Sequence, residues 1–484
     1  MTVLGIDLGT SGLKVALLDG DSLIAAAHRP LNVQRPHPGW SEQDPQAWWR
    51  ALVDGLDELK ACAPQALAAT RGIGLSGQMH GATLLDAAGQ VLRPCMLWND
   101  GRSQAQCAEL EAAWPALRSV TGNPAMAGFT APKLLWVREN EPALFARTAR
   151  VLLPKAWLRW QLTGEAVEEM SDASGTLWLD VGARRWSAEA LAVCGLSVAQ
   201  MPRLVEGSAP AGQVRGEWVQ RWGFARPPVV AGGAGDNAAG AVAVGAVQAG
   251  DAFVSLGTSG VLWATTAGFA PNPGQGVHAF CHALPDTWHQ MGVLLAAASA
   301  LAWWAQVAGS DEATLLTEAA AATPSSPCWF APYLNGERTP HNDATVRGAF
   351  AGLDAGTSRA DMTLAVLDGV GYALRDAQAA LAAAGTVLTG ADLIGGGARS
   401  ALWAQRLADI LALPLHQVAH SELGGALGAA RLARMALGEG LGVAAKPARL
   451  RSFEPCPVQA ALQAVRHAQW RALYPALAAL PSPR

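Results

Sequence analysis

Short apolar runs that end in small polar residues recur along this chain. Val3-Leu4-Gly5-Ile6 runs into Asp7-Leu8-Gly9-Thr10-Ser11-Gly12-Leu13-Lys14, and Ala252-Phe253-Val254 runs into Ser255-Leu256-Gly257-Thr258-Ser259-Gly260. Each pattern predicts a strand, a Gly-Thr-Ser-Gly turn and a second strand, a hairpin whose glycines let a ligand approach the backbone. Asp19-Gly20 predicts another tight turn before a strand over Leu23 to Ala27. Ser41 or Asp44 caps a helix with Pro45 at its first position, and a later strand ends in the loop Gly77-Gln78-Met79-His80-Gly81. Pro227 to Gly245 reads as a strand, a Gly-rich turn carrying Asp236-Asn237, and an Ala/Gly-rich helix. Leu393-Ile394 leads through Gly395-Gly396-Gly397-Ala398 into another helix. The Ala-rich segment Met291 to Ala308 contains Ser299 and Gln306 and reads as a buried helix, not a membrane span.

The Gly-Thr-Ser-Gly turn appears at Gly9 and again at Gly257, about half the chain apart. A length of 484 residues exceeds one ordinary core, so two domains are expected. We place them at residues 1–248 and 249–484, with Gln248-Ala249-Gly250-Asp251 as the hinge. Turns of this kind offer N–H groups and hydroxyls to phosphate oxygens. One turn per half suggests two related α/β domains gripping one polyphosphate in a central cleft, the plan of the actin-like ATPase fold.

Composition narrows the class. Hydrophobic residues make up 51% and charged residues 15%, which fits a packed globular protein. A formal net charge of −4 argues against a broad nucleic-acid surface, so an anionic substrate needs local donors and a metal. The seven cysteines are scattered, odd in number and form no CxxC pair, which disfavours disulfides and zinc and fits a reducing cytosol. The chain starts directly on a predicted strand, leaving no room for a signal peptide, and no membrane partner is expected.

Candidate chemistry sits in the loops. Asp7 meets the first phosphate turn, where a carboxylate would repel ATP unless Mg²⁺ stood between them; the alternative is a turn-stabilising Asp. Thr10, Ser11 and Lys14 stand beside it, and Lys14 is one of only five lysines. Gly257, Thr258 and Ser259 offer a second set of phosphate donors, or form an ordinary hairpin. Asp236 is the candidate base for moving a hydroxyl proton in phosphoryl transfer. Its alternative is a helix cap, and the dipole of a helix beginning at Asn237 should keep its pKa low. Gln78, Met79 and His80 suit a polyhydroxylated ligand, as do Trp98, Asn99 and Asp100. His80 lacks a second ligand at metal spacing. Gly396 and Gly397 precede a helix, where backbone could pack against a purine or a phosphate.

These segments together resemble the FGGY carbohydrate kinase family. The resemblance runs through GIDLGTSGLK, WSEQDPQAWW, SGQMHGATLLD, LWNDGR, GFTAPKLLW and MSDASGTLWLD, then VVAGGAGDNAAGAV, VSLGTSGV, FCHALP, PYLNGERTPH, GVGYAL and LIGGGARS. It implies an actin-like fold of two ribonuclease H-like domains, with ATP in the cleft and the sugar deeper. It also implies transfer of the γ-phosphoryl group of ATP to the 5-hydroxyl of D-xylulose. By motif match Asp236 is the base, with Asn237 beside it, and Asp7 the metal-associated carboxylate. Met79 and His80 are sugar contacts and Thr258 faces phosphate, while Gly396, Gly397 and Ser400 lie near adenosine. Ala234 departs from the glycine usual at its place. FGGY kinases are often dimers, and exposed aromatic residues could build a homodimer interface here. The nearest alternatives are another FGGY specificity (L-ribulose, L-fuculose, gluconate or a polyol) and, from a different class, an actin-like filament subunit or chaperone-type switch. That switch would not need the QMHG loop or the Asp236-Asn237 turn. The last forty or so residues read as helices without a motif.

Overall fold

The computed structural model describes residues 1–321, 328–419 and 423–481. Strand Thr2–Leu8 pairs antiparallel with Gly12–Asp19, which pairs antiparallel with Ser22–Pro30. On its other side Thr2–Leu8 runs parallel to Gly72–Gly77, which runs parallel to Val229–Ala231. The later half repeats this order. Ala252–Leu256 pairs antiparallel with Gly260–Thr266, and that strand with Trp288–Leu294. Ala252–Leu256 also runs parallel to Ala391–Ile394, which runs parallel to Leu415–Val418. Each sheet has seven strands. The sequence repeat is thus a topological repeat, and each Gly-Thr-Ser-Gly turn lies at the carboxyl end of a parallel strand, where ligands of α/β sheets bind.

Local signals account for many element ends. Asp44 accepts the Gln46 N–H at 2.9 Å and Pro45 opens the helix Pro45–Cys62. That helix buries Trp48, Leu52, Leu56 and Leu59 in the first core, with Leu13 and Val15. Gly20 takes φ 58° in the turn after Asp19.

Two expectations are corrected. Met291 to Ala308 is not one helix: strand Trp288–Leu294 is followed by helix Ala298–Val307. Met291 is claimed by the sheet, paired with Trp263 on one side and His278 on the other, so helical propensity loses to cross-strand pairing. Near the end of the chain, Arg449–Phe453 is a strand that extends the second sheet before helices Pro457–Trp470 and Leu473–Ala478.

Helix Gly424–Ala436 packs against the first-half sheet at backbone distance. A Cβ on Gly5 would stand 1.9 Å from the Ala426 carbonyl oxygen, and one on Gly74 would stand 1.8 Å from that of Ala429. A Cβ on Gly428 would stand 1.8 Å from the carbonyl oxygen of Ala239, in helix Asp236–Ala243. Glycine at these positions is what lets one helix touch the sheet and the helix that begins at Asp236. Among the described residues no helix is long and apolar enough to cross a membrane. All seven cysteines are free thiols.

Candidate active site

Asp7 lies opposite Lys14 on one neighbouring strand and Ser76 on the other. Ser76 donates its hydroxyl to Asp7 Oδ1 at 2.8 Å. A Cβ on Gly425 would come within 2.7 Å of the same oxygen, so the start of helix Gly424–Ala436 closes over this carboxylate. Burial raises the Asp7 pKa, while the Ser76 hydrogen bond and the Lys14 charge pull it down. Ser76 engages only one oxygen. A carboxylate at the first phosphate turn could hold Mg²⁺, which takes one or two carboxylates and completes its shell with water and phosphate.

The first phosphate turn is tied to the sugar-loop candidates. Thr10 donates its hydroxyl to Gln78 Oε1 at 2.8 Å and accepts the Trp98 indole N–H at 3.0 Å. Gln78 in turn donates to Gln43 Oε1 at 3.0 Å, and Gln43 donates to the Thr10 carbonyl at 2.7 Å. The Thr10 hydroxyl therefore aligns two loops, while Ser11 stays exposed and the Gly9 N–H closes the turn on Gly12. Trp98 is 48% exposed, its ring held by the bond to Thr10. It is the one exposed aromatic among the described residues, so exposed aromatics form no surface away from this site. Asp100 is not a free sugar acceptor. It is buried, taking Arg102 Nε at 2.9 Å, Arg102 Nη2 at 2.6 Å and the Ser41 N–H at 2.7 Å.

The Met79-His80 loop is strained and anchored. His80 adopts φ 70°, a left-handed conformation that costs a non-glycine residue energy. Its carbonyl takes the Thr130 hydroxyl at 3.1 Å and Lys133 Nζ at 3.3 Å, and its Nδ1 lies 2.8 Å from the Gly175 carbonyl. Burial pushes the His80 pKa down to about 3, so the ring is neutral. The carbonyl contact assigns the proton to Nδ1 and leaves Nε2 an acceptor for a hydroxyl. Lys133, which sequence reasoning passed over, also donates to the Gly128 and Phe129 carbonyls. Its signal in the sequence was rarity alone. Burial pushes its pKa down to about 7.

Asp236 is the first residue of helix Asp236–Ala243, one position earlier than expected. Its Oδ1 accepts the Asn237 N–H at 2.8 Å and the Asn237 side-chain amide at 3.2 Å. The side chain keeps an open face to solvent while protein surrounds it on its other sides. That enclosure, and then the Asp7 carboxylate, raise its pKa to about 6 against the opposing Asn237 hydrogen bonds. The low value expected from the helix dipole is thus corrected: desolvation and a second carboxylate outweigh one helix end. Met79 packs beneath, its sulfur 2.8 Å from where a Gly235 Cβ would be.

The second turn presents Thr258 and Ser259 to solvent. Its carbonyls are used inward: Gly257 O accepts the Ala298 N–H at 2.8 Å and Thr258 O the Ala297 N–H at 3.0 Å. The Gly-rich turn packs on it, Gly395 at φ 90° with Leu256 O 2.7 Å from its absent Cβ. Gly396 and Arg399 line a cavity of about 1170 Å³ together with Asp21, Gln417 and Lys446, three polar residues the sequence did not single out. Gly397 packs against Leu256 and Trp403 instead, and the Ser400 hydroxyl caps a helix by accepting the Trp403 N–H at 3.3 Å.

Two repeated sheets with a Gly-Thr-Ser-Gly turn at the carboxyl end of a parallel strand in each make this an actin-like ATPase fold. The chain belongs to the FGGY family of carbohydrate kinases, whose N-terminal domain matches residues 2–243 and whose C-terminal domain matches residues 252–437. It is 52% identical over 437 residues to a xylulose kinase of Escherichia coli K12, covering 90% of each chain. It is similar to the crystal structure of a xyloylose kinase from Brucella ovis at 51% identity and a TM-score of 0.96, over 99% of this chain and 100% of that one. A xylulose kinase from Rhodospirillum rubrum matches at 29% identity and a TM-score of 0.92, over 99% of both chains. As a kinase of this family the protein uses ATP as phosphoryl donor.

Proposed function

We propose that this protein phosphorylates D-xylulose to D-xylulose 5-phosphate with ATP and Mg²⁺, in the cytoplasm, from two domains at residues 1–248 and 249–484. The observation that carries the reading is the place of Asp236: an accessible carboxylate at the start of helix Asp236–Ala243, with Met79 packed against the preceding Gly235. Enclosure and Asp7 raise its pKa to about 6, which supports the role. A base poised near the working pH takes a hydroxyl proton more effectively than an ordinary aspartate. In this reading His80 Nε2 and the face of Trp98 orient the sugar, with Gln78 fixing the loop from behind. Asp236 accepts the proton of the 5-hydroxyl as its oxygen attacks the γ-phosphorus in line, while Asn237 holds the carboxylate in place. Ser11, Thr258 and Ser259 donate to the phosphates, and the cavity at Gly396 takes the adenosine. Asp7 would hold Mg²⁺, which when bound would neutralise charge on the phosphates. Asp236 and Asn237 sit on the first half and Thr258 on the second, so closure of the halves aligns donor with acceptor and excludes water. The 52% identity to a xylulose kinase supports D-xylulose as the acceptor. A homodimer belongs to this reading as a property of similar kinases, with sedimentation as its check.

Product analysis tests the assignment. Phosphorus NMR of a reaction with D-xylulose and Mg-ATP should show one sugar monophosphate coupled to the C5 protons. Phosphate on another carbon, or inorganic phosphate alone, contradicts it.

A further inference from the structure

Behind the Asp236 turn lies a cluster of charges that the reaction as described does not use. Lys155, Arg159, Glu168, Glu169 and Asp172 are all fully buried. Lys155 Nζ stands 2.7 Å from Glu168 Oε1, 3.3 Å from Glu169 Oε1 and 3.4 Å from Asp172 Oδ2. Three carboxylates this close resemble a metal site, but the lysine ammonium already occupies the point a cation would take. Desolvating so many charges is expensive, and hydrophobic residues of similar volume would often serve stability as well. Their placement suggests another role.

Two bonds join this cluster to the segment that ends in Asp236. Arg159 Nη2 donates to the carbonyl of Gly232, and its Nη1 donates to the Val167 carbonyl at 2.6 Å. At the other end the Gly235 N–H donates to Ser171 Oγ at 3.1 Å, and Ser171 donates its hydroxyl to Glu169 Oε1 at 2.9 Å, the oxygen that faces Lys155. Glu169 also accepts the Ser171 and Asp172 N–H groups at 2.7 and 2.8 Å, so it cannot turn away. Gly233 between the two anchors takes φ 72°, and a Cβ there would stand 2.1 Å from Leu75 O. The turn is therefore clamped at Gly232 and Gly235, one residue before Asp236.

We propose that Lys155 and Arg159 are positioning residues for phosphoryl transfer, the two buried cations fixing Gly232 and Gly235 and thereby where Asp236 presents its carboxylate. The inference rests on Asp236 as the base. Charge bears on the arrangement as well: burial and the neighbouring Glu168 and Glu169 carboxylates raise the Asp172 pKa well above the ordinary range, against the pull of Lys155.

The test uses the full chain, Mg-ATP and D-xylulose, with ADP release as the readout. Ser171→Ala cuts one anchor with little change in volume. It should lower kcat about tenfold or more and leave KM for ATP within about twofold, since misplacing a reacting group costs up to about 10²-fold. Lys155→Met should lower kcat further by stranding buried acids. Lys155→Met with Glu168→Gln should recover at least tenfold of that loss, because glutamine removes the charge nearest Lys155 and keeps the acceptor for the Glu169 N–H. Should Lys155→Met fail to fold, Ser171→Ala decides alone. Wild-type kcat in Ser171→Ala, a loss confined to KM, or no recovery in a folded double variant would overturn the proposal. A wild type without sugar-dependent ADP release would instead overturn the proposed function, which keeps the two failures distinct.

Discussion

Thr10 donates its hydroxyl to Gln78 at 2.8 Å, joining the first phosphate turn to the loop that carries Met79 and His80. Two sites that the sequence presents as separate motifs are therefore one hydrogen-bonded unit, with Trp98 bonded to the same hydroxyl. Thr10→Val keeps the shape and removes both bonds. Each bond is worth about 1 kcal/mol, so KM for ATP and for the sugar should each rise about five- to tenfold. Steady-state kinetics with either substrate varied checks this, and a rise in only one KM contradicts the coupling.

Asp236→Asn removes the proton acceptor but keeps the Asn237 contacts feasible. It should lower kcat by about 10²–10⁴-fold with ATP affinity by calorimetry unchanged. The pH dependence has a definite sign. Asp236 works as the carboxylate, and its pKa is raised to about 6, so kcat/KM should be flat above that value and fall about tenfold per pH unit below it. An acid limb near the ordinary aspartate value of about 4 would show that neither enclosure nor Asp7 tunes the group.

Glu337 gives a stability prediction away from the chemistry. Its Oε1 accepts the Leu295 and Arg338 N–H groups at 3.0 and 2.8 Å, while the buried Oε2 has no partner among the described residues. Burial raises its pKa to about 8. The folded state then holds a proton that the unfolded chain releases near pH 4.5. The stabilisation is complete below that value and is lost as pH rises to about 8, at up to about 1.4 kcal/mol per pH unit. Glu337→Gln keeps the Oε1 acceptor and does not titrate. Its Tm relative to wild type should climb between pH 5 and pH 8; an unchanged difference contradicts the assignment.

Gly74→Ala and Gly428→Ala should each be severely destabilising. The added carbon would meet a backbone carbonyl oxygen at 1.8 Å, which no rotamer relieves. Overpacking typically costs about 1–3 kcal/mol, and contact this close should exceed that range. Chemical denaturation measures it, and a loss below about 1 kcal/mol would mean that helix Gly424–Ala436 is free to move off the sheet.

The contrast between these residues marks what was legible. Gly9 and Gly257 announced their turns because the strand, turn and hydroxyls lie within a few adjacent residues. Asp236 stood out by its glycine-rich company. Gly74 and Gly428 carried no such mark, since their reason is a partner hundreds of residues away or on another element. The same holds for Lys133 and Lys155: a lysine reads as a solvated side chain until the fold buries it among carbonyls or carboxylates. The direction of the Asp236 pKa was misread for the same cause. A helix start is local and visible, whereas enclosure and the approach of Asp7 belong to the tertiary fold. Met291 likewise went to a strand because two neighbours pair with it.

The most direct measurement is coupled ADP release with Mg-ATP across a panel of ketoses and polyols, with a control lacking sugar. The account predicts little release without sugar and a strong, selective rate with D-xylulose. Preference for another sugar would contradict the acceptor while keeping the kinase, and equal ADP release with and without every sugar would contradict the account at its centre.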